Sequence, residues 1–233
     1  MAFICLLTGH FKNLLYFTII IMVHELGHTL TGSILKFKIN RIEIYPYGGC
    51  SKLEYDINIP IYKELLILIM GPLIQIIFVY IIRLSEMSVP DYFYTYHYFI
   101  LIFNMLPIFP LDGGRLIELV TFFICSYYKG LKYVLYFSYL AFVSLFFYFV
   151  FFNFNFIVVL ILILLGFQIY REIRNAKYYF NKFLMERYLY DYHFSKRKIV
   201  SDVKMMKRDY YHFFVMNNCE YVDEKRILCS YFG

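Results

Sequence analysis

The stretch IIIMVHELGHTLTG, residues 19–32, sets two histidines and a glutamate directly after an apolar run. With the apolar residues before it, this run is long enough for a membrane-spanning helix. Ionisable side chains inside a membrane are costly, and where they occur they usually serve a function. His24, Glu25 and His28 therefore need a partner that offsets this cost, and the partner must come from elsewhere in the chain.

Long apolar runs dominate the sequence. Hydrophobic residues make up 61% of its 233 residues, whereas soluble domains average about 45–50%. A helix needs about 20 apolar residues to cross the hydrocarbon core. Residues 1–7, MAFICLL, are too few to span and are interpreted as the last turns of a truncated N-terminal helix. Five runs are predicted to span: Phe11–Leu35, Ile61–Ile82, Tyr96–Cys125, Tyr133–Phe152 and Phe156–Tyr170.

Lysines and arginines alternate between the predicted loops. They are frequent between the first two spans and between the third and fourth, and eleven lie between Arg171 and Arg208. The opposite loops hold only Lys12 and Arg83. Basic residues concentrate in cytoplasmic loops of membrane proteins. The sequence therefore predicts a multi-pass integral membrane protein with a cytosolic C-terminal tail.

Two segments interrupt the pattern of apolar spans. INRIEIYPYGGCSKLEYD, residues 39–56, alternates apolar and polar residues around a proline–glycine turn, which predicts a β-hairpin. FNMLPIFPLDGGRL, residues 103–116, places two prolines and an aspartate inside the third span, and proline breaks a helix. Irregular backbone at membrane depth is tolerated only where protein or a water-filled cavity surrounds it. Asp112 is therefore expected to face a cavity.

The HELGH motif has the spacing of a metal site. Residues four apart lie on one face of a helix, so His24 and His28 can direct both imidazoles at one zinc ion. Glu25 is adjacent and is expected to act on water without being a ligand. A catalytic zinc usually has three protein ligands, and Asp112 is the best candidate for the third. Glu64 and Glu118 are weaker candidates, because they lie nearer to span ends.

Asp112 also has a purely structural interpretation. It immediately precedes Gly113, Gly114 and Arg115, where it could be the N-cap of a helix. The two interpretations compete, and the ligand role is favoured because a carboxylate in a membrane span is otherwise hard to explain.

Several motifs together resemble the site-2 intramembrane metalloproteases, and within them the stage IV sporulation protein FB branch. They are HELGH, YPYGG and NMLPIFPLDGG, supported by LLTGHFKNLL, LIMGPLIQ and RNAKYYFNKFLMERY. The resemblance implies that His24, His28 and Asp112 bind zinc, that Glu25 activates water and that Asn104 assists at the active site. One departure is Gln75, where the family often has asparagine.

The resemblance also implies a substrate class and partners. It suggests a membrane-associated protein substrate, in this branch an inactive sigma-factor precursor during sporulation, and it is compatible with inhibitory membrane partners. A substrate helix must unwind before cleavage, and strand addition to the hairpin would hold the unwound segment. The alternative is that the hairpin is only a cytosolic loop. The candidate substrate-binding residues are Tyr45, Pro46, Tyr47, Gly48 and Gly49.

Basic and aromatic residues alternate in the C-terminal tail. They favour contact with anionic lipid headgroups of the bilayer rather than with nucleic acid. Residues 1–170 are predicted to form the metalloprotease domain, and residues 171–233 a tail that is a possible remnant of a CBS-type regulatory domain. The predicted fold is an all-α polytopic membrane protein with five full spans, a truncated first helix, a small membrane-associated hairpin and a short tail.

Three functions are compatible with these patterns. The first is an intramembrane zinc metalloendopeptidase. The second is a catalytically silent membrane scaffold of the same fold, against which the intact HELGH and LDGG motifs argue. The third is a metal transporter, which should carry acidic or histidine residues on several spans, whereas only one such constellation appears.

Overall fold

The computed structural model describes residues 11–37, 39–45, 48–53, 57–152, 154–215 and 221–232. The chain divides into two compact units. The first unit comprises Met1–Tyr55 and Lys63–Leu106, and the second comprises Asp56–Tyr62 and Pro107–Gly233. The truncated helix predicted for residues 1–7 lies outside the described residues.

The described residues of the first unit form three helices and a β-hairpin. Its elements are α1 (Phe11–Ile34), β1 (Ile39–Tyr45), β2 (Gly48–Leu53), α2 (Ile61–Leu84, from Lys63 onward) and α3 (Asp91–Asn104). The strands pair antiparallel, with Tyr45 opposite Gly48. This pairing confirms the predicted hairpin.

Apolar side chains from all three helices form the core of the first unit. Ile20 of α1, Val79 of α2 and the α3 residues Phe93 and Ile100 are buried together. Aromatic rings surround this cluster, and the ring of Tyr16 meets that of Phe93 edge to face at 5.7 Å. The core therefore fixes α1, which carries the HELGH motif, against α2 and α3.

Three further helices open the second unit. They are α4 (Asp112–Ile124), α5 (Tyr127–Phe151) and α6 (Phe156–Leu189). An aromatic stack joins them, because the ring of Tyr127 lies 4.6 Å from that of Phe122 and 4.3 Å from that of Phe183. Stacked rings at these distances add to the stability gained from burial alone.

The C-terminal tail forms a second sheet, which corrects the prediction of an all-α chain with a single hairpin. Strand β3 (Lys196–Val200) pairs parallel with β4 (Tyr210–Val215), and β4 pairs antiparallel with β5 (Tyr221–Asp223). Helix α7 (Glu224–Phe232) follows. The segment YYHFFV is rich in aromatic and β-branched residues, which favour strands. The prediction for the tail considered only its basic and aromatic residues as lipid contacts and missed this strand.

A buried ion pair holds the tail sheet to α6. The Arg187 guanidinium, at the end of α6, donates to Glu224 Oε1 at 2.9 Å and to Asn58 Oδ1 at 2.6 Å. The backbone N–H of His212 donates to Glu224 Oε2 at 2.9 Å. Burial by itself raises the pKa of Glu224, but the hydrogen bond with His212 and the charge of Arg187 outweigh it and leave that pKa below its usual value. Glu224 is therefore ionised and paired at neutral pH.

Three helices are long and apolar enough to cross a membrane among the residues that the structure describes: Phe11–Ile34, Ile61–Leu84 and Tyr127–Phe151. They indicate an integral membrane protein, and each overlaps a predicted span. The predicted third span is interrupted between α3 and α4, at the segment with the two prolines. The predicted fifth span is the first half of α6, which continues to Leu189. The total of five spans stays a prediction.

The Glu224→Gln variant is expected to destabilise the tail sheet, because it leaves the buried Arg187 charge without its counter-ion. Breaking a buried pair costs about 3–5 kcal/mol. Hydrogen exchange of the β3–β5 amides in the purified full chain measures the loss. The control is Asp191→Asn, which removes the exposed ion pair with Lys225 and should change little. Equal protection in Glu224→Gln and the wild type would contradict the role of the pair.

Candidate metal centre

His24 and His28 project from one face of α1 into the interior of the first unit. Their Nε2 atoms lie 3.2 Å apart. Only 2% of His24 and 7% of His28 is exposed. The spacing of the two histidines predicted this convergence, because residues four apart lie on one face of a helix.

Each imidazole is held from its other nitrogen. His28 Nδ1 lies 2.9 Å from the backbone oxygen of Ile67. A carbonyl oxygen can only accept, so Nδ1 carries the proton and donates. His24 Nδ1 lies 2.8 Å from Gln75 Oε1. Both partners come from α2.

The orientation of the Gln75 amide identifies the protonated nitrogen of His24. Gln75 Nε2 lies 3.1 Å from the backbone oxygen of His97, which can only accept, so this end of the amide is the nitrogen. Its oxygen therefore faces His24 and accepts from Nδ1. In their neutral forms both histidines carry the proton on Nδ1 and a lone pair on Nε2.

Two lone pairs that face each other at 3.2 Å repel, and a cation that both can bind removes this repulsion. An extra proton would create a buried charge, which is costly. A zinc ion fits this donor set, because it binds neutral imidazole nitrogens whose second N–H is held by a carbonyl or carboxylate. His24 and His28 thus have the protonation, burial and orientation of zinc ligands.

Two glycines allow α1 and α2 to approach closely at this point. A Cβ on Gly27 would lie 2.5 Å from the backbone oxygen of Met70. A Cβ on Gly71 would lie 2.2 Å from Nε2 of His28. The His28 ring therefore occupies space that exists only because residue 71 has no side chain.

The two predicted catalytic residues lie beside this pair. Glu25 follows His24 on α1 and is half-buried. Asn104 ends α3, and its Nδ2 lies 3.4 Å from His24 Nε2. An amide N–H directed at this nitrogen agrees with a lone pair on Nε2. The structure thus groups His24, His28 and Asn104 within the first unit.

Asp112 belongs to the second unit, where it is the first residue of α4 and half-buried. The N-cap of α4 is Leu111, so the interpretation of Asp112 as an N-cap is wrong. A tight turn precedes it, because a Cβ on Gly114 would lie 2.3 Å from the backbone nitrogen of Phe109. The same nitrogen donates to Ser138 Oγ at 2.9 Å. These contacts fix the start of α4 within its own unit.

The other predicted site residues that the structure describes lie in α2, α4 and the hairpin. Glu64 lies in the first turn of α2, and Glu118 lies within α4. The backbones of Tyr45, Gly48 and Gly49 lie in the hairpin strands, whereas Pro46 and Tyr47 lie outside the described residues. A role of the hairpin in substrate binding stays a prediction.

Sequence reasoning missed the groups that orient the two histidines. Gln75 was noted only as a departure from a family pattern, and His97 was not among the predicted site residues. The available signal was their polarity within apolar helices, because a buried amide or imidazole must find a hydrogen-bonding partner. Nothing in the sequence pointed to the Ile67 carbonyl, since a backbone group carries no residue signature.

Comparison with known proteins identifies the segment that contains these histidines. Residues 12–91 match the model of peptidase family M50. This segment is therefore similar to peptidase family M50. A solved structure, the site-2 protease from Methanocaldococcus jannaschii, matches with a TM-score of 0.54 and 26% identity, over 68% of this chain and 76% of that chain. The resemblance to the site-2 proteases is confirmed.

Two curated relatives each match about half of the chain. Stage IV sporulation protein FB of Bacillus subtilis is 39% identical over 121 residues, which are 49% of this chain and 42% of the relative. A zinc metalloprotease of Methanocaldococcus jannaschii is 31% identical over 121 residues, which are 48% of this chain and 35% of the relative. The chain therefore aligns with less than half the length of these relatives.

The Gly71→Ala variant is expected to bind zinc at least about tenfold more weakly, because the new Cβ displaces the His28 ring from its position. For comparison, loss of a residue that merely orients a metal ligand lowers metal affinity by about 10- to 100-fold. Zinc affinity of the purified chain, measured by competition with a chelator, gives the result. The control is Gly166→Ala, whose Cβ would meet only the ring of Phe142 at 2.8 Å, in the second unit. Wild-type affinity in Gly71→Ala would show that His28 is not a ligand.

Proposed function

We propose that this protein is an intramembrane zinc metalloendopeptidase of the site-2 type, which hydrolyses a peptide bond of a membrane-associated protein. The proposal rests on one observation: His24 and His28, on the buried face of an apolar helix and next to Glu25, direct their Nε2 lone pairs at each other. A structural role does not require two buried imidazoles to direct lone pairs at each other. A metal site does.

His24, His28 and Asp112 would hold the zinc ion. For the two histidines the support is the geometry within the first unit. For Asp112 it is the LDGG motif, the resemblance to the site-2 proteases and the absence of an N-cap role. When bound, zinc makes water more acidic and polarises the scissile carbonyl group.

Glu25 moves the proton in this proposal. Its carboxylate accepts a proton from the attacking water as the new C–O bond forms, and then passes it to the nitrogen of the leaving amine as the peptide C–N bond breaks. The support is its place on α1 directly after His24, with a half-buried side chain that keeps access to the site. Glu25 needs no place among the ligands for this role.

Asn104 orients the reacting carbonyl group. Its amide nitrogen is directed at His24 Nε2 at 3.4 Å. With this lone pair engaged by a metal, the N–H of Asn104 would need another acceptor, and the oxygen of the scissile carbonyl would offer one. A donor at this place stabilises the negative charge that the oxygen develops.

The hairpin is the proposed holding site for the unwound substrate. A two-stranded sheet has two edges whose backbone groups can pair with an added strand. Tyr45, Gly48 and Gly49 lie at the turn end of the paired strands. Pairing there would compensate for the helical hydrogen bonds that the substrate loses before cleavage.

A sigma-factor precursor is the proposed substrate, and cleavage during sporulation the proposed setting. The support is the resemblance in sequence together with the name of one relative, stage IV sporulation protein FB. Inhibitory membrane partners and a cytosolic C-terminal tail belong to the same proposal. The tail location is supported by its many lysines and arginines.

The Glu25→Gln variant separates a protease from a scaffold. It keeps the size of the side chain and leaves all three proposed ligands in place, so zinc content should match that of the wild type. Cleavage of a co-expressed candidate substrate should fall by roughly 10²–10⁴-fold, because the proton acceptor is lost. The control His24→Ala should lose both zinc and cleavage. Normal processing by Glu25→Gln would refute the protease proposal, since a scaffold does not need the carboxylate.

A further inference from the structure

A glutamine and a histidine lie behind His24. Gln75 of α2 is 0% exposed, and His97 of α3 is 5% exposed. Burying an amide without hydrogen bonds costs free energy. Here the amide spans the space between His24 and His97, with polar contacts at both ends.

His97 determines which way the Gln75 amide points. It offers two atoms to Gln75 Nε2: Nδ1 at 3.0 Å and its own backbone oxygen at 3.1 Å. An amide NH₂ group has two hydrogens and can satisfy both. With the amide flipped, its oxygen would face the His97 backbone oxygen, and two acceptors would repel each other. The observed orientation is therefore fixed from the His97 side.

The orientation of the amide in turn determines the tautomer of His24. With the Gln75 oxygen toward it, His24 Nδ1 must carry the proton and Nε2 is left with a lone pair. A flipped amide would present N–H groups instead, and Nδ1 would have to accept. The proton would then move to Nε2, the nitrogen that faces His28.

We propose that His97 and Gln75 act as a positioning pair for His24: His97 fixes the amide of Gln75, and Gln75 keeps the Nε2 lone pair of His24 available to the metal. The inference rests on the proposed zinc site. Neither residue touches the metal or the substrate in this account. Their effect passes through His24 alone.

The other histidine needs no such pair. His28 Nδ1 donates to the backbone oxygen of Ile67, which accepts in every orientation. The two ligands therefore differ in how they depend on side chains. Substitutions at residues 75 and 97 should impair only the half of the site that His24 supplies.

A double-mutant cycle on zinc affinity tests the pair. The variants are Gln75→Leu, His97→Phe and their combination, each in the purified full chain, with zinc affinity measured by competition with a chelator. Each single variant should bind zinc about 10- to 100-fold more weakly, as is typical when a partner that orients a ligand is lost. Because His97 acts only through Gln75, the double variant should be no weaker than Gln75→Leu.

Phe93→Leu is the matched control. Phe93 lies one turn before His97 on α3 and is buried in the apolar cluster with Ile20, Val79 and Ile100. This variant loosens the packing of α3 while all hydrogen bonds to Gln75 remain, so its zinc affinity should equal that of the wild type. Gln75→Met replaces Gln75→Leu if the latter fails to fold, since methionine has a similar length but no amide.

The outcomes separate this inference from the proposed function. If His24→Ala retains zinc, the metal site itself is refuted, and the pair with it. If His24→Ala loses zinc while Gln75→Leu and His97→Phe bind normally, only the positioning pair is refuted. A loss in Phe93→Leu as large as in His97→Phe would refute the pair by assigning the effect to packing. If the affinity losses of the two single variants multiply in the double variant, His97 does not act through Gln75 and the proposed order is refuted.

Discussion

The approach of two imidazole nitrogens to 3.2 Å is the constraint on which the rest of the first unit depends. Hydrogen bonds from both Nδ1 atoms leave lone pairs on both Nε2 atoms, and a cation bound by both would remove the repulsion between them. In the proposed zinc site, metal binding would therefore add to the stability of the folded chain. The surrounding helices must therefore be rigid enough to hold the two rings in place.

Close packing of the helices supplies that rigidity. Glycines 27 and 71 let α1 and α2 meet backbone to backbone, so that the His28 ring lies against α2. The apolar cluster around Ile20 and Phe93 fixes α3 against α1. In lipid, association of helices relies on such close packing and on hydrogen bonds between helices, because the hydrophobic effect adds little there. The same contacts that join the helices thus also orient the two histidines.

The sequence was sufficient for the features that follow from spacing and composition. HELGH predicted the convergence of His24 and His28, and the proline and glycine residues predicted the hairpin and the break before Asp112. Features that depend on tertiary contacts could not be predicted. Gln75, His97 and the Ile67 carbonyl become neighbours of the histidines only when α2 and α3 pack on α1. The tail sheet was missed because its strands are short and depend on the buried Arg187.

X-ray absorption at the zinc edge of the purified, zinc-loaded chain tests the central claim most directly, because it reports the atoms bound to the metal. The account predicts one zinc per chain with two imidazole nitrogens at about 2.0–2.1 Å and otherwise only oxygen ligands. A spectrum with sulfur at about 2.3 Å, or without imidazole, would contradict it. In that case the converging lone pairs of His24 and His28 would require another explanation.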